Sequence, residues 1–451
     1  MLIESLSGVR GYDTALTGEL IQSYACALKD LLACRKVVIG RDSRASGIRI
    51  QEQLTVALRH CGIAVIDLGV CPTPTVEMAV VRHRVNAGIV ITASHNPLPW
   101  NGLKFIGADG LFLSPDQMAQ IRDTRQNLFA KYTDFKTSIG DFEQYDQANH
   151  DHIAAILDLP YLDIAAIRQR HFKVAVDAVN GAASLIIPDL LRELGCEVIT
   201  VNCDPHLQFP HPPEPLPENL TDLMQTVRDS SADLGLAIDP DGDRLAIVSD
   251  KGLPISEEYT LVLATKLVLS ETKAKSRLVV ANLSTTRALE DLARQYAAEV
   301  IRTPIGEINV ARKMQTIGAL IGGEGNGGVI LPEAHLGRDS LVGTALVLQL
   351  LTTENRRLSE VMQSLPQYFM SKRKAPRGQA DFNEICKRLR QLVTSAEVNT
   401  EDGLKFSWSD RWVHIRTSNT EPIVRIYAEA PTRPEADQLA EHLVRILQTL
   451  N

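Results

Sequence analysis

The sequence predicts an α/β protein of three similar mixed α/β units followed by a smaller α+β unit. Three observations carry this. An apolar strand, a small-residue or polar turn, an amphipathic helix and a second apolar strand recur as a set three times. The copies run from Lys36 (KVVIGRDSRASG) to Gly69 (GIAVIDLG), from Lys173 (KVAVDAVNGAASLIIPDLLRELGCEVITV) and from Arg277 (RLVVANLSTTRALEDLARQYAAEVIRT). Short β-branched runs alternating with helical periodicity mark βαβ units and mainly parallel sheet. At 451 residues the chain exceeds one ordinary core, which suggests about three domains, give or take one.

The boundaries fall in the polar stretch 132–150, near Asp250–Pro254 and around 366–376. They give units at 1–140, 141–250, 251–368 and 369–451. The tail has its own pattern. After about Pro376, FNEICKRLRQLV reads as a helix, and LKFSW, RWVHIR and IVRIYAEA alternate as strands. A last helix follows, with Thr432 as N-cap and Pro434 in its first turn.

Composition narrows the function. Hydrophobic residues make up 44% and charged residues 23%, the balance of a soluble globular protein. The net charge is −8 with no long Lys/Arg run, which argues against nucleic acid as a partner. A chain this acidic that binds an anion must concentrate positive charge locally. Its seven scattered cysteines include no C-x-x-C, so reduced thiols in a cytoplasmic protein are expected rather than a disulfide framework or zinc site. The opening MLIESLSGVRGYD has no cationic stretch before an apolar one and is not read as a signal peptide. No apolar run reaches the roughly 18 residues of a membrane span.

Four segments carry chemistry. In GIVITASHNPLPWNGLKF, residues 88–105, a buried strand runs into a sharp polar turn. Ser94 then sits at a strand end, where α/β folds place ligands. It is a nucleophile or a turn cap, since Ser, Asn and Pro are also ordinary turn residues. A Ser-His hydrolase is disfavoured. The G-x-S-x-G elbow is missing, and His95, adjacent in sequence, is not expected to reach the serine hydroxyl.

In LGLAIDPDGDRLAIV, residues 234–248, Asp239, Asp241 and Asp243 alternate. An extended backbone would turn all three to one side. Close carboxylates repel unless a cation neutralises them, and an all-oxygen set suits Mg²⁺ better than zinc. The EF-hand pattern fails, because Arg244 and Asp250 stand where that loop needs Gly and Glu. The apolar flanks argue against a merely solvated acidic turn.

GGEGNGGVILPE, residues 322–333, has glycines that allow close backbone approach to a ligand. Glu324 is suited to accept hydrogen bonds from sugar hydroxyls. A plain loop is the other reading. HIRTSNTEPIVRIYAEA, residues 414–430, brings Arg416, Ser418, Asn419 and Thr420 into a turn between strands, with Arg425 behind. That composition makes a phosphate cradle or a polar hairpin.

Together and in this order, these segments resemble the α-D-phosphohexomutase family. The resemblance rests on TASHNP with NG-x-K, DPDGDR, GE-x-x-G and R-x-S-x-TEP, with SGVRGY at residues 7–12 as the opening segment. It implies four domains around a central cleft, the last of them TBP-like. It implies an isomerase-class phosphotransferase that interconverts hexose 1- and 6-phosphates through a phosphoserine and a hexose 1,6-bisphosphate. Ser94 would be that serine, and with Asp239, Asp241 and Asp243 it would hold Mg²⁺. Arg10, Lys104, Arg244 and His95 would surround the reacting phosphate, Lys104 as a candidate for proton transfer. Glu324, with Asn326 beside it, would read the sugar. Arg416, Ser418, Asn419, Thr420 and Arg425 would grip the other phosphate. A cytoplasmic monomer or homodimer acting on a small hexose phosphate is expected.

The sugar is less directly written. GE-x-S-G-H, common in the family, is here GEGNGG, with Asn326 and Gly328 in place of Ser and His. The Ser-Asn-Thr cradle fits a bifunctional phosphomannomutase/phosphoglucomutase. Glu307 in TPIGEINVA, where a carboxylate suits a protonated 2-amino group, points to glucosamine, which is the favoured reading. Glu307 is alternatively a helix N-terminal carboxylate. A sugar phosphatase would not need the distal cradle, and a non-catalytic sensor would not need Ser94, Lys104 and three aspartates.

Overall fold

Each of the three expected units contains a βαβ element with parallel strands. The first comprises Lys36–Arg41, helix Ala45–His60 and Ala64–Val70. The second comprises Lys173–Asp177, Ala183–Glu193 and Glu197–Thr200. The third comprises Leu278–Asn282, Ala288–Gln295 and Glu299–Thr303. The structure is a computed structural model that describes residues 2–5, 8–128, 139–377, 381–393, 395–417 and 423–450.

The likeness extends past the βαβ element. In each sheet a further strand (Ala87–Ile91, Leu234–Ile238 or Ile321–Glu324) lies parallel to the first strand of the pair. It then turns back into an antiparallel neighbour, Trp100–Gly107, Leu245–Ser249 or Gly328–Ile330. The turns of these three hairpins are the TASHNP, DPDGDR and GEGNGG segments.

The first sheet is widened to seven strands by Leu2–Ser5 and Gly8–Tyr12 at one edge and Phe142–Gln144 at the other. Phe142–Gln144, assigned from sequence to the second unit by the division at 140/141, pairs in parallel with Ala64–Val70. Central strands are buried on both faces, as parallel sheet demands; Val37, Val38 and Ile39 are fully buried. The second and third units share one hydrophobic core. Helix Ser340–Glu354 runs through it and is buried around most of its circumference, as an all-round apolar helix must be.

The last unit is a five-stranded antiparallel sheet in the order Phe369–Pro376, Ile423–Ala430, Trp412–Thr417, Leu404–Ser407, Glu397–Asn399. In sequence, helix Phe382–Leu392 follows its first strand, Phe369–Pro376, and helix Arg433–Leu450 follows its last, Ile423–Ala430. Thr432 caps the last helix in both directions. Its Oγ1 accepts from the Glu435 amide at 3.4 Å and donates to Glu435 Oε2 at 2.8 Å, a side-chain cap of the first turn. Phe369–Pro376 was not expected as a strand, because its SKRKAP stretch lacks apolar alternation. It pairs along its whole length with Ile423–Ala430. Among the described residues, no helix is long and apolar enough to cross a membrane.

Candidate active site

The three hairpin turns and the C-terminal sheet meet at one cleft of about 1010 Å³. Ser94, Arg244, Glu324 and Arg416 line it, one from each unit.

Ser94 stands in the left-handed region at φ +52°, a costly conformation for a non-glycine residue that needs support from its surroundings. Arg44 supplies that support. It is 1% exposed, pairs with Asp42 Oδ2 at 2.9 Å, and donates to the carbonyl oxygens of Ser94, Asn96 and Trp100. Asp42 in turn accepts from Thr92 Oγ1 at 2.6 Å, and Thr92 Oγ1 accepts the Ser94 amide. Sequence reasoning saw the GRDSR stretch only as strand and turn. Its signal was an Asp and an Arg two apart, straight after a buried strand.

The tight turn corrects one expectation. His95 Nδ1 lies 3.3 Å from Ser94 Oγ, because the left-handed residue folds the chain back on itself. No triad results, since the carboxylate near the pair, Asp239, bonds to the serine itself at 3.3 Å. Burial, with Arg244 and Arg10 next, holds the His95 imidazole well below its usual pKa.

The aspartates also converge differently from the expectation. They do not alternate along an extended strand. Pro240 and Gly242 (φ +72°) fold them into a turn, and a Cβ on Gly242 would come within 2.9 Å of Pro72. One oxygen from each of Asp239, Asp241 and Asp243 lies within 4.8 Å of the others, and all three residues are 0% exposed. Asp241 Oδ1 and Asp243 Oδ1 have no hydrogen-bond partner. Burial, then the charges of Asp243 and Asp241, drive the Asp239 pKa far above the carboxylate range. Buried, partly unbonded carboxylates at this spacing fit a hard divalent cation.

Positive charge surrounds this turn. Lys104 Nζ is 2.6 Å from Asp241 Oδ2 and 3.5 Å from Asp243 Oδ2. Burial disfavours its charge, but Asp241 and Asp243 outweigh burial and raise its pKa. Arg244 Nε lies 3.8 Å from Asp239 and 3.6 Å from Asp243. Arg10 Nη1 donates to Asn96 Oδ1 at 3.1 Å and lines the cleft. Thr73, not singled out from sequence, donates from Oγ1 to Asp241 Oδ2 at 2.8 Å.

Glu324 ends its strand at the cleft. Its Oε1 accepts from Asn282 Nδ2 at 2.7 Å and from the Gly306 amide at 3.1 Å. Asn326 bends back to accept the Gly328 amide at 3.3 Å. Glu307 opens helix Glu307–Ile317 and lines the cleft. Both its oxygens are engaged by Arg338, through the amide at 2.8 Å and Nε at 3.1 Å. The carboxylate expected to meet a sugar amine is therefore already ion-paired. Arg338 was missed from sequence. Its only signal was one arginine in LPEAHLGRDS.

Arg416 and Arg425 face each other across strands Trp412–Thr417 and Ile423–Ala430, and both line the cleft. Lys374 is the next cross-strand neighbour of Arg425 and lines it too. Ser418, Asn419 and Thr420 lie outside the described residues. A second group of ligand-type atoms, on His152, His335 and Asp339, lies away from the cleft. Its ligand atoms are already engaged: His152 Nε2 lies 2.8 Å and His335 Nε2 3.1 Å from Asp339 Oδ2, His152 Nδ1 meets Thr75, and His335 Nδ1 meets the Gly337 amide and Glu77.

Fold and site define an enzyme whose four units are arranged about one polar cleft. Models of the phosphoglucomutase/phosphomannomutase family match the chain in order: α/β/α domain I over residues 4–131, domain II over 150–252, domain III over 256–369 and the C-terminal domain over 371–446. The chain belongs to this family of phosphohexomutases. It is 36% identical over 418 residues to a phosphoglucomutase/phosphomannomutase of Thermococcus kodakarensis, covering 91% of this chain and 90% of that one. It is 34% identical over 446 residues to a Methanopyrus kandleri protein named "Probable phosphoglucosamine mutase", covering 98% and 97%. A crystal structure of a family protein from Burkholderia thailandensis superposes with a TM-score of 0.85 at 28% identity, covering 98% of this chain and 96% of that one.

Proposed function

We propose that this chain interconverts glucosamine 6-phosphate and glucosamine 1-phosphate, through a phosphorylated Ser94 and a hexose 1,6-bisphosphate. The observation that carries the mechanism is the approach of Ser94 Oγ to Asp239 Oδ2, at 3.3 Å across two units. It sets the serine against a turn that calls for a cation, in a cleft whose far wall carries Arg416 and Arg425. Mg²⁺ is the cation the all-oxygen set favours. It would be held by Asp239, Asp241, Asp243 and a phosphoserine oxygen, and would supply Lewis-acid stabilisation of the phosphoryl oxygens.

The chain's own residues divide the remaining work. In the first half-reaction the phosphorus–oxygen bond to Ser94 breaks and one to the free sugar hydroxyl forms, that hydroxyl's proton passing in net to the serine oxygen, which leaves a bisphosphate and a free Ser94 hydroxyl. The second half-reaction returns the other phosphate to Ser94 after the intermediate turns end for end. Phosphoryl transfer needs positioning and charge neutralisation above all. Lys104, Arg10 and Arg244 neutralise the charge on the moving group. The Arg44 clamp keeps Ser94 presented to the cleft. His95 sits within reach of the serine oxygen as a neutral ring. Glu324 accepts from sugar hydroxyls, and Arg416, Arg425 and the 418–420 turn grip whichever phosphate is not reacting. A phosphatase would share the reacting residues but has no need of that distal grip.

The glucosamine assignment draws on the name of the Methanopyrus relative, since Glu307, though it lines the cleft, is already paired with Arg338. A bifunctional phosphomannomutase/phosphoglucomutase is the second reading, favoured by the Thermococcus relative. Four units, the first division moved from 140/141 to beyond Phe142–Gln144 and the others at 250/251 and 368/369, a monomer or homodimer, and a cytoplasmic setting complete the proposal.

The test supplies Mg²⁺, a trace of glucose 1,6-bisphosphate, and glucosamine, glucose or mannose 1-phosphate in parallel, with 6-phosphate formation followed by ³¹P NMR. Preference for glucosamine 1-phosphate, abolished in Ser94→Ala, supports the whole reading. Comparable turnover of glucose and mannose phosphates keeps the mechanism and removes the glucosamine assignment. Free phosphate without 6-phosphate removes the mutase.

A further inference from the structure

We infer that Arg338 is a positioning residue that ties the carboxylate turn to the sugar-reading hairpin, so that cation binding at the first responds to the charge of the second. The inference rests on the phosphohexomutase reading of the cleft and deepens it.

The geometry is specific. Arg338 is 6% exposed, and each nitrogen of its guanidinium serves a different carboxylate. Nη2 donates to Asp243 Oδ2 at 2.6 Å, Nη1 to Glu324 Oε2 at 2.8 Å and Nε to Glu307 Oε2 at 3.1 Å. A planar fork can span three acceptors in fixed directions, which a single ammonium cannot. The stem passes so close to Gly328 that a Cβ there would lie 2.2 Å from Arg338 Cδ.

The backbone carrying this fork is anchored on both sides. The Gly337 amide donates to His335 Nδ1 at 3.1 Å. Asp339 Oδ1 caps helix Ser340–Glu354 through the Leu341 amide at 2.7 Å, while its Oδ2 accepts from His152 and His335. His152 reaches Thr75 at 2.8 Å. Thr75 belongs to helix Thr73–Arg82, whose first residue holds Asp241. The arginine is thus fixed by elements of all three α/β units, and its reach crosses from the second to the third.

The consequence is a shared charge. Arg338 occupies Oδ2 of Asp243 and leaves Oδ1, which has no hydrogen-bond partner, to a cation. Its positive charge is divided among Asp243, Glu324 and Glu307. When Glu324 loses its charge, more of the guanidinium field falls on Asp243, and a cation there is held less tightly. Linkage makes the effect reciprocal. Occupancy of the aspartate turn alters how strongly Glu324 is engaged, and hence its strength as an acceptor for a sugar hydroxyl.

The test is a double-mutant cycle read by Mn²⁺ binding to the full chain, measured by electron paramagnetic resonance without substrate. Glu324→Gln, which touches no aspartate of the turn, is expected to weaken Mn²⁺ binding by about five-fold, the lower end of ordinary coupling. In an Arg338→Met background the same substitution is expected to change it by less than about two-fold. Arg338→Lys keeps a charge for folding but not the fork, and is expected to reduce the Glu324→Gln effect as well. An effect of equal size in all three backgrounds overturns the inference, as does absence of Mn²⁺ binding to the unsubstituted chain. The readout needs no turnover. An Arg338-dependent effect in a chain that converts no sugar phosphate would sink the mutase reading alone, and turnover without that effect would sink the inference alone.

Discussion

Arg44 Nη2 lies 2.5 Å from the carbonyl oxygen of Ser94, so a wholly buried guanidinium holds the backbone of this serine rather than its side chain. Arg44→Met leaves the Asp42 carboxylate buried and unpaired. It is expected to cost about 3–5 kcal/mol of stability. Loss of the serine's left-handed presentation is expected to lower kcat on the order of 100-fold. Urea denaturation and the mutase assay check the two halves, and a variant with unchanged kcat would remove the clamp from the mechanism.

The aspartate turn predicts opposite effects with and without metal. In metal-free protein at neutral pH the three carboxylates repel, so Asp239→Asn is expected to gain roughly 1 kcal/mol or more. Added Mg²⁺ should raise the melting temperature of the parent and leave that of the variant almost unchanged. Activity should be lost in the variant, and in the parent after chelation. Thermal melts with EDTA and with Mg²⁺ decide it.

Arg416 lines the cleft from strand Trp412–Thr417 of the last unit. Arg416→Gln is expected to raise KM for the hexose phosphate by about 10-fold or more, through loss of a charge-assisted phosphate contact. Labelling of Ser94 by a bisphosphate should persist, more weakly. Steady-state kinetics and mass spectrometry of Ser94 report each. An unchanged KM would remove Arg416 from the phosphate grip.

Lys405 gives a pH dependence remote from the cleft chemistry. It is 6% exposed, donates to the Leu283 carbonyl at 2.5 Å and lies over the Trp412 ring. Burial, with Arg302 next, lowers its pKa from 10.5 to about 7. Between those values the unfolded chain binds more protons than the folded one, so stability rises with pH across that window. Lys405→Met should flatten the rise. Denaturation midpoints at three pH values within the window test it, and parallel slopes for parent and variant would contradict it.

What the sequence showed and what it hid follow from the range of the interactions. Helical and strand periodicity are local, so the βαβ elements and the Thr432 cap could be read directly. The serine and aspartate motifs were readable because residue type and close spacing already imply chemistry. The roles of Arg338 and Arg44 were not, because the groups they bring together lie far off in sequence, 95 residues for Asp243 from Arg338 and 50 for the Ser94 carbonyl from Arg44. The path of the aspartate turn was misread as extended, since alternation looks alike in a strand and in a Pro-Gly turn. Phe369–Pro376 escaped because its strand character comes from its partner, Ile423–Ala430, rather than from its own side chains.

The position shared by the three hairpins has an evolutionary meaning. Ser94, the three aspartates and Glu324 occupy the same seat in three copies of one architectural plan. A precursor with a single copy could have surrounded a ligand only by self-association, presenting identical turns from every side. Fusing the copies into one chain lets each turn drift alone. Specialisation then needs no new scaffold, only separate histories for TASHNP, DPDGDR and GEGNGG, and one turn can change while the other two are inherited intact.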